Sequence, residues 1–455
     1  MSEHLKALDT GLLHIEDADQ HAHLGMGVVA VLDGPIPDQG ALVALLGQRL
    51  ATCPRFAQRL RRQVLDLTAP QWVPDEDFCL DRHIGRISVP GRGDDADLCA
   101  MVAEVMSWRL DRDRPLWEIW VLEGLSGDRW AMLVKVHPCI ADSDGLAHIL
   151  AGLSDHGCAH DATVPDCQPV DGQIRASSPR RAGWRGLLHA AASTAVDAMI
   201  GVAQAEQLLD GVSKYAAGLL RPMSALTGPL TSRRHYTVAR VDAAAMDTIC
   251  RSFHVTVDDV ALAALTESYR NTLIRHGAWP PPEALRTLIP IRNSVLLPRL
   301  PLDQDDPVLR LKILHTRLAQ ASAVDVGRAL AAVAHAIPAP LTAWATDLLA
   351  RLPQHGVVAV TAAMPGPRRP LRIAGCAVSE VLPIPPLALQ VRTGAAILRY
   401  ANSVFFGILT DHDSIAAADE LARGVETAVH RLLVRSRRPQ RPVRDRHGLA
   451  LVLSP

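Results

Sequence analysis

Two alternating apolar runs, separated by a glycine-containing turn, constrain the fold of this chain more than any other segment. Alternate residues in 117–121 share one apolar face, and those in 130–136 repeat the pattern. Such alternation is typical of β-strands with one buried face, and residues 124–128 supply the turn. The segment therefore predicts a β-hairpin whose second strand ends at His137.

Composition limits the classes of protein to which the chain can belong. Its 455 residues are 48% hydrophobic and 21% charged, which suits a globular protein of two domains or two lobes. The net charge of −1 gives no global field that favours nucleic acid, so no nucleic-acid partner is expected. No apolar signal region opens the chain, and no run reaches the roughly 18 apolar residues of a membrane span. Eight scattered cysteines without a CxxC pair favour reduced thiols and a cytoplasmic location.

Periodicity and turn residues predict further elements. Strands are expected at residues 28–32 and 288–292 and within 394–410. Helices are expected at residues 40–63, 145–153, from 257 onward and at 414–434, with a longer helical region at 184–220 after a linker at 166–186. Asp142 or Ser143 is the expected N-cap of the 145–153 helix.

His137, followed five residues later by Asp142, fits an acyl-transfer site. Such a site needs a general base that takes the proton from an acceptor hydroxyl, and histidine suits this role because its pKa lies near neutral pH. The aspartate can hold the backbone turn through a salt bridge. A histidine at a strand end is more often structural, so both interpretations stay open.

Short motifs in a consistent order extend the pattern along the chain. They are residues 5–17, the block at 72–83, the PLWE letters at 115–118, the HHxxxDG-like stretch at 137–143, Asp-Asp-Val at 258–260, Pro-Gly-Pro at 365–367 and the strands around 400–411. Their order resembles the bacterial wax ester synthase/diacylglycerol acyltransferase family. The resemblance covers nearly all of the chain.

The resemblance implies a fold and a chemistry. The fold class is α/β (α+β), with two chloramphenicol-acetyltransferase-like lobes that each hold a mixed sheet and are joined by a helical crossover. The implied lobes are residues 1–165 and 233–434, with the linker and crossover at 166–232 and a basic, then apolar tail at 435–455. The implied reaction moves an acyl group from acyl-CoA to diacylglycerol or a long-chain alcohol. Acyl-CoA is a substrate, and neither a cofactor nor a metal is expected. The protein is expected to associate peripherally with membranes or lipid droplets.

The chain departs from the family pattern at five motif positions. Pro138 stands where the family has its catalytic histidine, and proline offers neither a titratable group nor a backbone N–H. Ser143 replaces a glycine and Arg399 a serine. Asp258 and Ala363 each stand for an asparagine. We therefore expect the fold to be retained and the activity to be impaired.

Site residues follow from the same motifs. His137 is the candidate base, while Pro138, Asp142, Ser143 and Asp259 are expected to have structural roles. Since a buried unpaired carboxylate is costly, Asp142 should have a partner.

Arg292 is the candidate cation for Asp142. Cys139 could act as a thiol nucleophile, although a small buried cysteine is the commoner case. The set His156, Cys158, His160 and Cys167 contains metal-ligand types, but its spacing fits no zinc template.

Two further alternatives concern function. The arginines between residues 175 and 185 could bind anionic lipid headgroups or could form an ordinary solvated linker. The whole chain could be a non-catalytic homologue that binds acyl-CoA or lipid, or an acyltransferase with a different acceptor.

Overall fold

The computed structural model describes residues 3–5, 7–51, 53–61, 70–155, 226–278, 285–291, 294–321, 357–367, 369–387, 391–414 and 416–437. The expected linker at 166–186 and helical region at 184–220 lie outside the described residues. So do Arg292, the four metal-ligand candidates and the tail beyond residue 437.

The described residues form fifteen strands and eight α-helices. The strands are β1 (Glu3–His4), β2 (Met26–Asp33), β3 (Gln58–Arg61), β4 (Gln71–Pro74), β5 (Ile84–Ser88), β6 (Trp117–Leu125), β7 (Arg129–Val136), β8 (Arg234–Asp242), β9 (Arg286–Ile291), β10 (Ser294–Leu296), β11 (Val357–Met364), β12 (Arg372–Ile373), β13 (Cys376–Ile384), β14 (Thr393–Tyr400) and β15 (Ser403–Asp411). The helices are α1 (Ala7–Ala18), α2 (Gln39–Leu50), α3 (Asp95–Ser107), α4 (Ser143–Gly152), α5 (Ala243–Phe253), α6 (Val257–Arg275), α7 (Pro307–Gln320) and α8 (Ala418–Ser436).

Two six-stranded mixed sheets organise these elements. The first has the order β12-β13-β2-β7-β6-β5, and the second has the order β10-β9-β11-β14-β15-β8. Within them, β5 runs parallel to β6, and β11 runs parallel to both β9 and β14. A small sheet, β1-β4-β3, lies beside them. The expected α/β class with a mixed sheet in each lobe is confirmed.

The predicted hairpin forms β6 and β7, and β7 lies inside the first sheet. Trp117 pairs with Val136 and Ile119 with Val134 in an antiparallel ladder. Both faces of β7 are covered, because Lys135, on the face opposite these valines, is also buried. Its Nζ donates to carbonyls at the C-terminal end of α3, 2.9 Å from Val105 O. Burial lowers the pKa of Lys135 to about 8.

The division into contiguous lobes needs one correction. Strand β13, from the C-terminal half of the chain, pairs antiparallel with β2 in the first sheet, from Ala377 opposite Asp33 to Ile384 opposite Gly27. The region expected as one C-terminal lobe at 233–434 therefore contributes two strands, β12 and β13, to the sheet of the N-terminal half. A local pattern does not contain such a pairing, because it joins residues more than 300 positions apart.

One predicted helix was too long. The helix expected over residues 40–63 ends at Leu50, and a 3₁₀ turn, Pro54–Ala57, leads into β3. Pro54 explains the difference, because proline cannot continue a helix and it restricts the residue before it. The strands expected at 28–32 and within 394–410 correspond to β2, β14 and β15.

The two sheets meet where β15 crosses β13. The Tyr236 hydroxyl, fully buried on β8, donates to Pro383 O at 2.9 Å. Gly407 on β15 faces the same carbonyl so closely that a Cβ at position 407 would overlap it. Only glycine fits this approach of two backbones.

We expect Gly407→Ala to destabilise the protein by at least about 1–3 kcal/mol, because backbone atoms must move apart to admit the methyl group. Equilibrium denaturation in urea measures the change. Gly152→Ala is the control, because a Cβ there meets nothing within 4 Å, and alanine in a helix is favoured by about 0.5–1 kcal/mol. Equal stability of the Gly407 variant and the parent would contradict the close approach.

Candidate active site

The loop between β7 and α4 is fixed at both ends by hydrogen bonds. His137 follows the last residue of β7, and its N–H donates to Leu116 O at 2.9 Å. Its carbonyl accepts from Ile140 N, also at 2.9 Å. At the other end the Asp142 carboxylate accepts from Gly145 N at 2.8 Å and caps α4. The predicted position of His137 at a strand end is confirmed.

The His137 ring lies inside the protein rather than in an open cleft. The side chain is 1% exposed. Its Nδ1 accepts from the Cys139 N–H at 3.2 Å, so the neutral ring carries its proton on Nε2. Nε2 lies 3.5 Å from Glu16 Oε2. A base needs a lone pair that the acceptor hydroxyl can reach, so this geometry favours a structural role for His137, and its role as the base stays a prediction.

Glu16, on α1, holds the N-terminal helix against the loop. Its Oε1 accepts from Leu24 N and its Oε2 from Arg112 Nη2, both at 2.5 Å. Burial raises the pKa of the Glu16 carboxyl, but the His137 ring, the Arg112 charge and the Leu24 N–H outweigh burial and lower the pKa to about 2. The carboxylate is therefore ionised at neutral pH.

The other motif residues of the loop, Pro138, Asp142 and Ser143, lie closer to the surface than His137. Pro138 is half-buried and adds no polar proton to the loop. Asp142 is exposed, and its carboxylate has the expected partner, which is the N–H group of Gly145. Ser143 is the first residue of α4 and is not among the described residues with positive φ, so the replaced glycine leaves no strain there.

Cys139 is unsuited to act as a nucleophile. Its Sγ lies 3.6 Å from Asp9 O, to which it can donate. Burial raises the pKa of the Cys139 thiol well above its usual value. Since the thiolate is the reactive form, the geometry favours the structural interpretation of this cysteine.

A second pair of titratable side chains lies on the C-terminal half of the chain. Asp259, in the first turn of α6, is buried, and its Oδ2 accepts from the N–H and the hydroxyl of Thr256, both at 2.8 Å. The Asp259 N–H donates to Thr256 Oγ1 at 3.2 Å, which completes a capping box. His315, on α7, places Nδ1 at 2.9 Å from Asp259 Oδ2. Asp259 thus caps α6 and also contacts a histidine.

Sequence reasoning missed His315, although one signal was available. Leu311, Leu314 and Leu318 form the inward stripe of α7, and His315 falls within it. A histidine in an otherwise apolar stripe requires a partner or an opening. Its partner is 56 residues away in the sequence, which no local spacing reveals.

The His315–Asp259 pair borders a cavity of about 340 Å³. The cavity is lined by Thr256, Asp258, Asp259, Leu262, Ile289, Leu296, His315, Leu318, Ala319, Thr361, Ala363 and Ile397. Burial, with the charge of Asp259, raises the pKa of Asp258. Two of the five altered motif positions, Asp258 and Ala363, line this cavity.

Strand β11 connects the cavity to the motif loop. Thr361 and Ala363 on β11 line the cavity, and β11 packs against α4, which begins at the end of the loop. Past α4, the Asp155 carboxylate accepts from Ala374 N and Gly375 N at 2.9 and 2.8 Å. Strand β11 therefore contacts both the helix that follows the loop and the cavity.

Within the part of the chain that the structure describes, no group of three or more His, Cys, Asp or Glu side chains could hold a metal ion. The helices of that same part include none that is both long and apolar enough to cross a membrane.

Sequence comparison identifies two family domains in the chain. The wax ester synthase/diacylglycerol acyltransferase catalytic domain matches residues 5–261, and the C-terminal domain of the same family matches residues 292–432. A probable diacylglycerol O-acyltransferase of Mycobacterium tuberculosis is 46% identical over 467 aligned positions, which cover 99% of this chain and 100% of the relative.

Solved structures share the fold. A wax ester synthase/diacylglycerol acyltransferase from Marinobacter aquaeolei aligns with a TM-score of 0.66 at 20% identity, covering 95% of this chain and 100% of that one. A trichothecene 15-O-acetyltransferase from Fusarium sporotrichioides aligns with a TM-score of 0.60 at 10% identity, covering 96% and 95%.

The environment of Glu16 gives a testable stability profile. A carboxyl group whose pKa falls on folding contributes its full stabilisation at pH values above its pKa in the unfolded chain, here 4.5. This stabilisation is lost as the pH falls towards the folded-state pKa of about 2. We expect Glu16→Gln to lower the free energy of unfolding at pH 7 by on the order of 3 kcal/mol. The gap to the parent should shrink as the pH falls from 4.5 towards 2.

Urea unfolding at a series of pH values measures this gap. Glu76→Gln, which removes an exposed carboxylate, is the control and should not change stability. A gap for Glu16→Gln that is constant across the pH range would show that the carboxylate is not selectively stabilised in the folded protein.

Proposed function

The chain belongs to the wax ester synthase/diacylglycerol acyltransferase family, and from this premise we propose that it transfers an acyl group from acyl-CoA to the hydroxyl of diacylglycerol or of a long-chain alcohol. The match of both family domains along the chain carries the proposal. The largely apolar cavity beside β11 adds support, because an acyl chain needs apolar walls.

The proposed reaction is a direct displacement. The acceptor oxygen attacks the thioester carbonyl, the hydroxyl proton passes to a base, the C–S bond breaks, and the CoA sulfur leaves as a thiol after protonation. Positioning of the two substrates contributes to the rate independently of proton transfer. General base catalysis typically adds about 10²–10⁴-fold, so the loss of an imidazole at position 138 should leave the enzyme slower than a variant that has one.

A direct assay distinguishes this proposal from the alternatives. Purified protein is incubated with labelled acyl-CoA and diacylglycerol, a long-chain alcohol or no acceptor, and both ester and free CoA are measured. Acceptor-dependent ester formation supports the proposal. Tight acyl-CoA binding without an ester from any acceptor would instead identify a non-catalytic binding protein, and transfer to some other hydroxyl compound would change the acceptor class.

We expect Pro138→His to raise kcat by at least about 10-fold, because the new imidazole would stand where the family motif has its base, and general base catalysis contributes up to about 10⁴-fold. Pro138→Gln is the matched control, since it also removes the proline but adds no base. Equal rates for the parent and both variants would show that the loop no longer takes part in the chemistry.

We further propose a cytoplasmic protein that associates peripherally with anionic membrane or lipid surfaces. The support is the hydrophobic acceptor and the arginine-rich stretch at 175–185, which lies outside the described residues. The protein should float with anionic liposomes at low salt, where charge attraction is least screened, and less with neutral ones. Absence of co-flotation at low salt would refute the association.

A further inference from the structure

We propose that His315, oriented by Asp259, is a general base for acyl transfer in this chain and takes over part of the role of the histidine that Pro138 replaces. The inference rests on the proposed function and adds the group that receives the acceptor proton. Three observations carry it: the geometry of the pair, the cavity that it borders, and the altered motif positions in the wall of that cavity.

The pair has the arrangement that a base requires. Thr256 holds the Asp259 carboxylate in place, and the His315 Nδ1–H donates to its Oδ2 at 2.9 Å. This fixes the tautomer in which Nε2 carries a free lone pair. The His315 side chain is 45% exposed, whereas that of His137 is 1% exposed. Of these two histidines, His315 is the one that an acceptor hydroxyl can reach.

The cavity provides the surroundings for a thioester and its acyl chain. Apolar side chains from α6, α7 and strands β9, β10 and β14 line it, and its volume is about 340 Å³. Its titratable lining consists of His315, Asp258 and Asp259. An apolar wall with one oriented imidazole favours proton transfer over unproductive solvation.

Two altered motif positions lie in the wall of this cavity. Ala363 is smaller than the expected asparagine and removes an amide, while Asp258 adds a carboxyl group. The loss of the loop imidazole at Pro138 is thus accompanied by changes around His315. Strand β11 lines the cavity and packs on α4, which follows the motif loop.

The proposed step balances in atoms and charge. His315 Nε2 accepts the proton of the acceptor hydroxyl as its oxygen forms a bond to the thioester carbonyl carbon. The C–S bond then breaks, and the imidazolium returns the proton to the CoA sulfur. The Asp259 carboxylate faces the imidazolium and stabilises it. The step needs neither an oxidant nor a metal ion.

The test compares four variants in the acyl-transfer assay. His315→Ala removes the base, His315→Gln keeps a hydrogen-bonding side chain beside Asp259, and Asp259→Asn removes the orienting charge. The control is His276→Ala, because His276 has a similar exposure of 42% and a carboxylate at 3.7 Å but lies outside the cavity.

We expect both His315 variants to lower kcat by about 10²-fold with little change in KM, since the interaction operates only in the transition state. Asp259→Asn should lower kcat less, and His276→Ala should have no effect. The melting temperature of His315→Gln should match the parent. Added imidazole should partly restore the activity of the His315→Ala variant. Without imidazole, the pH–rate profile of this variant should lack the acidic limb. A purely structural role would produce neither effect.

A double variant makes the test stricter. When Pro138→His supplies a second base, His315→Ala should lower kcat much less than it does in the parent. The effects of the two substitutions on kcat should therefore not be additive. Parent turnover that survives both His315 variants would overturn this inference and leave the proposed function standing. A parent protein that forms no ester with any acceptor would overturn both.

Discussion

The insertion of the β12–β13 hairpin into the first sheet is the constraint on which the rest of the structure depends. It ties the end of β11 to the N-terminal half, because β13 pairs along most of β2. The Tyr236 hydroxyl and the Asp155 carboxylate hold the same segment by hydrogen bonds. As a result β11 packs on α4, and the motif loop and the cavity of the C-terminal half keep a fixed separation.

Within this frame the two histidines have opposite environments. His137 is enclosed, with Cys139 and Glu16 facing its two ring nitrogens, and the position next to it is a proline. His315 is half-exposed at a cavity and faces a buried carboxylate. Loss of one imidazole from the loop therefore leaves a second histidine at a cavity of the C-terminal half, and the proposed base is that histidine.

Local signals predicted the elements that local interactions determine. The β6–β7 hairpin follows from alternation and the start of α6 at Val257 from apolar periodicity, and both are observed. The helix predicted over residues 40–63 was too long because the prediction followed apolar periodicity and did not end the helix before Pro54. The hairpin insertion and the His315–Asp259 pair join distant positions, so periodicity could not reveal them. The family motifs supplied the two-sheet architecture, which composition alone did not.

A crystal structure with a non-reactive thioether analogue of acyl-CoA would test the central claim most directly. The account predicts the acyl chain in the cavity and the carbon that replaces the carbonyl within about 5 Å of His315 Nε2. That separation leaves room for a hydroxyl at about 2.6–3.2 Å from the base and about 3–3.5 Å from the carbon. An analogue whose reacting carbon lies against Pro138, with His315 facing solvent beyond reach of any acceptor, would contradict it.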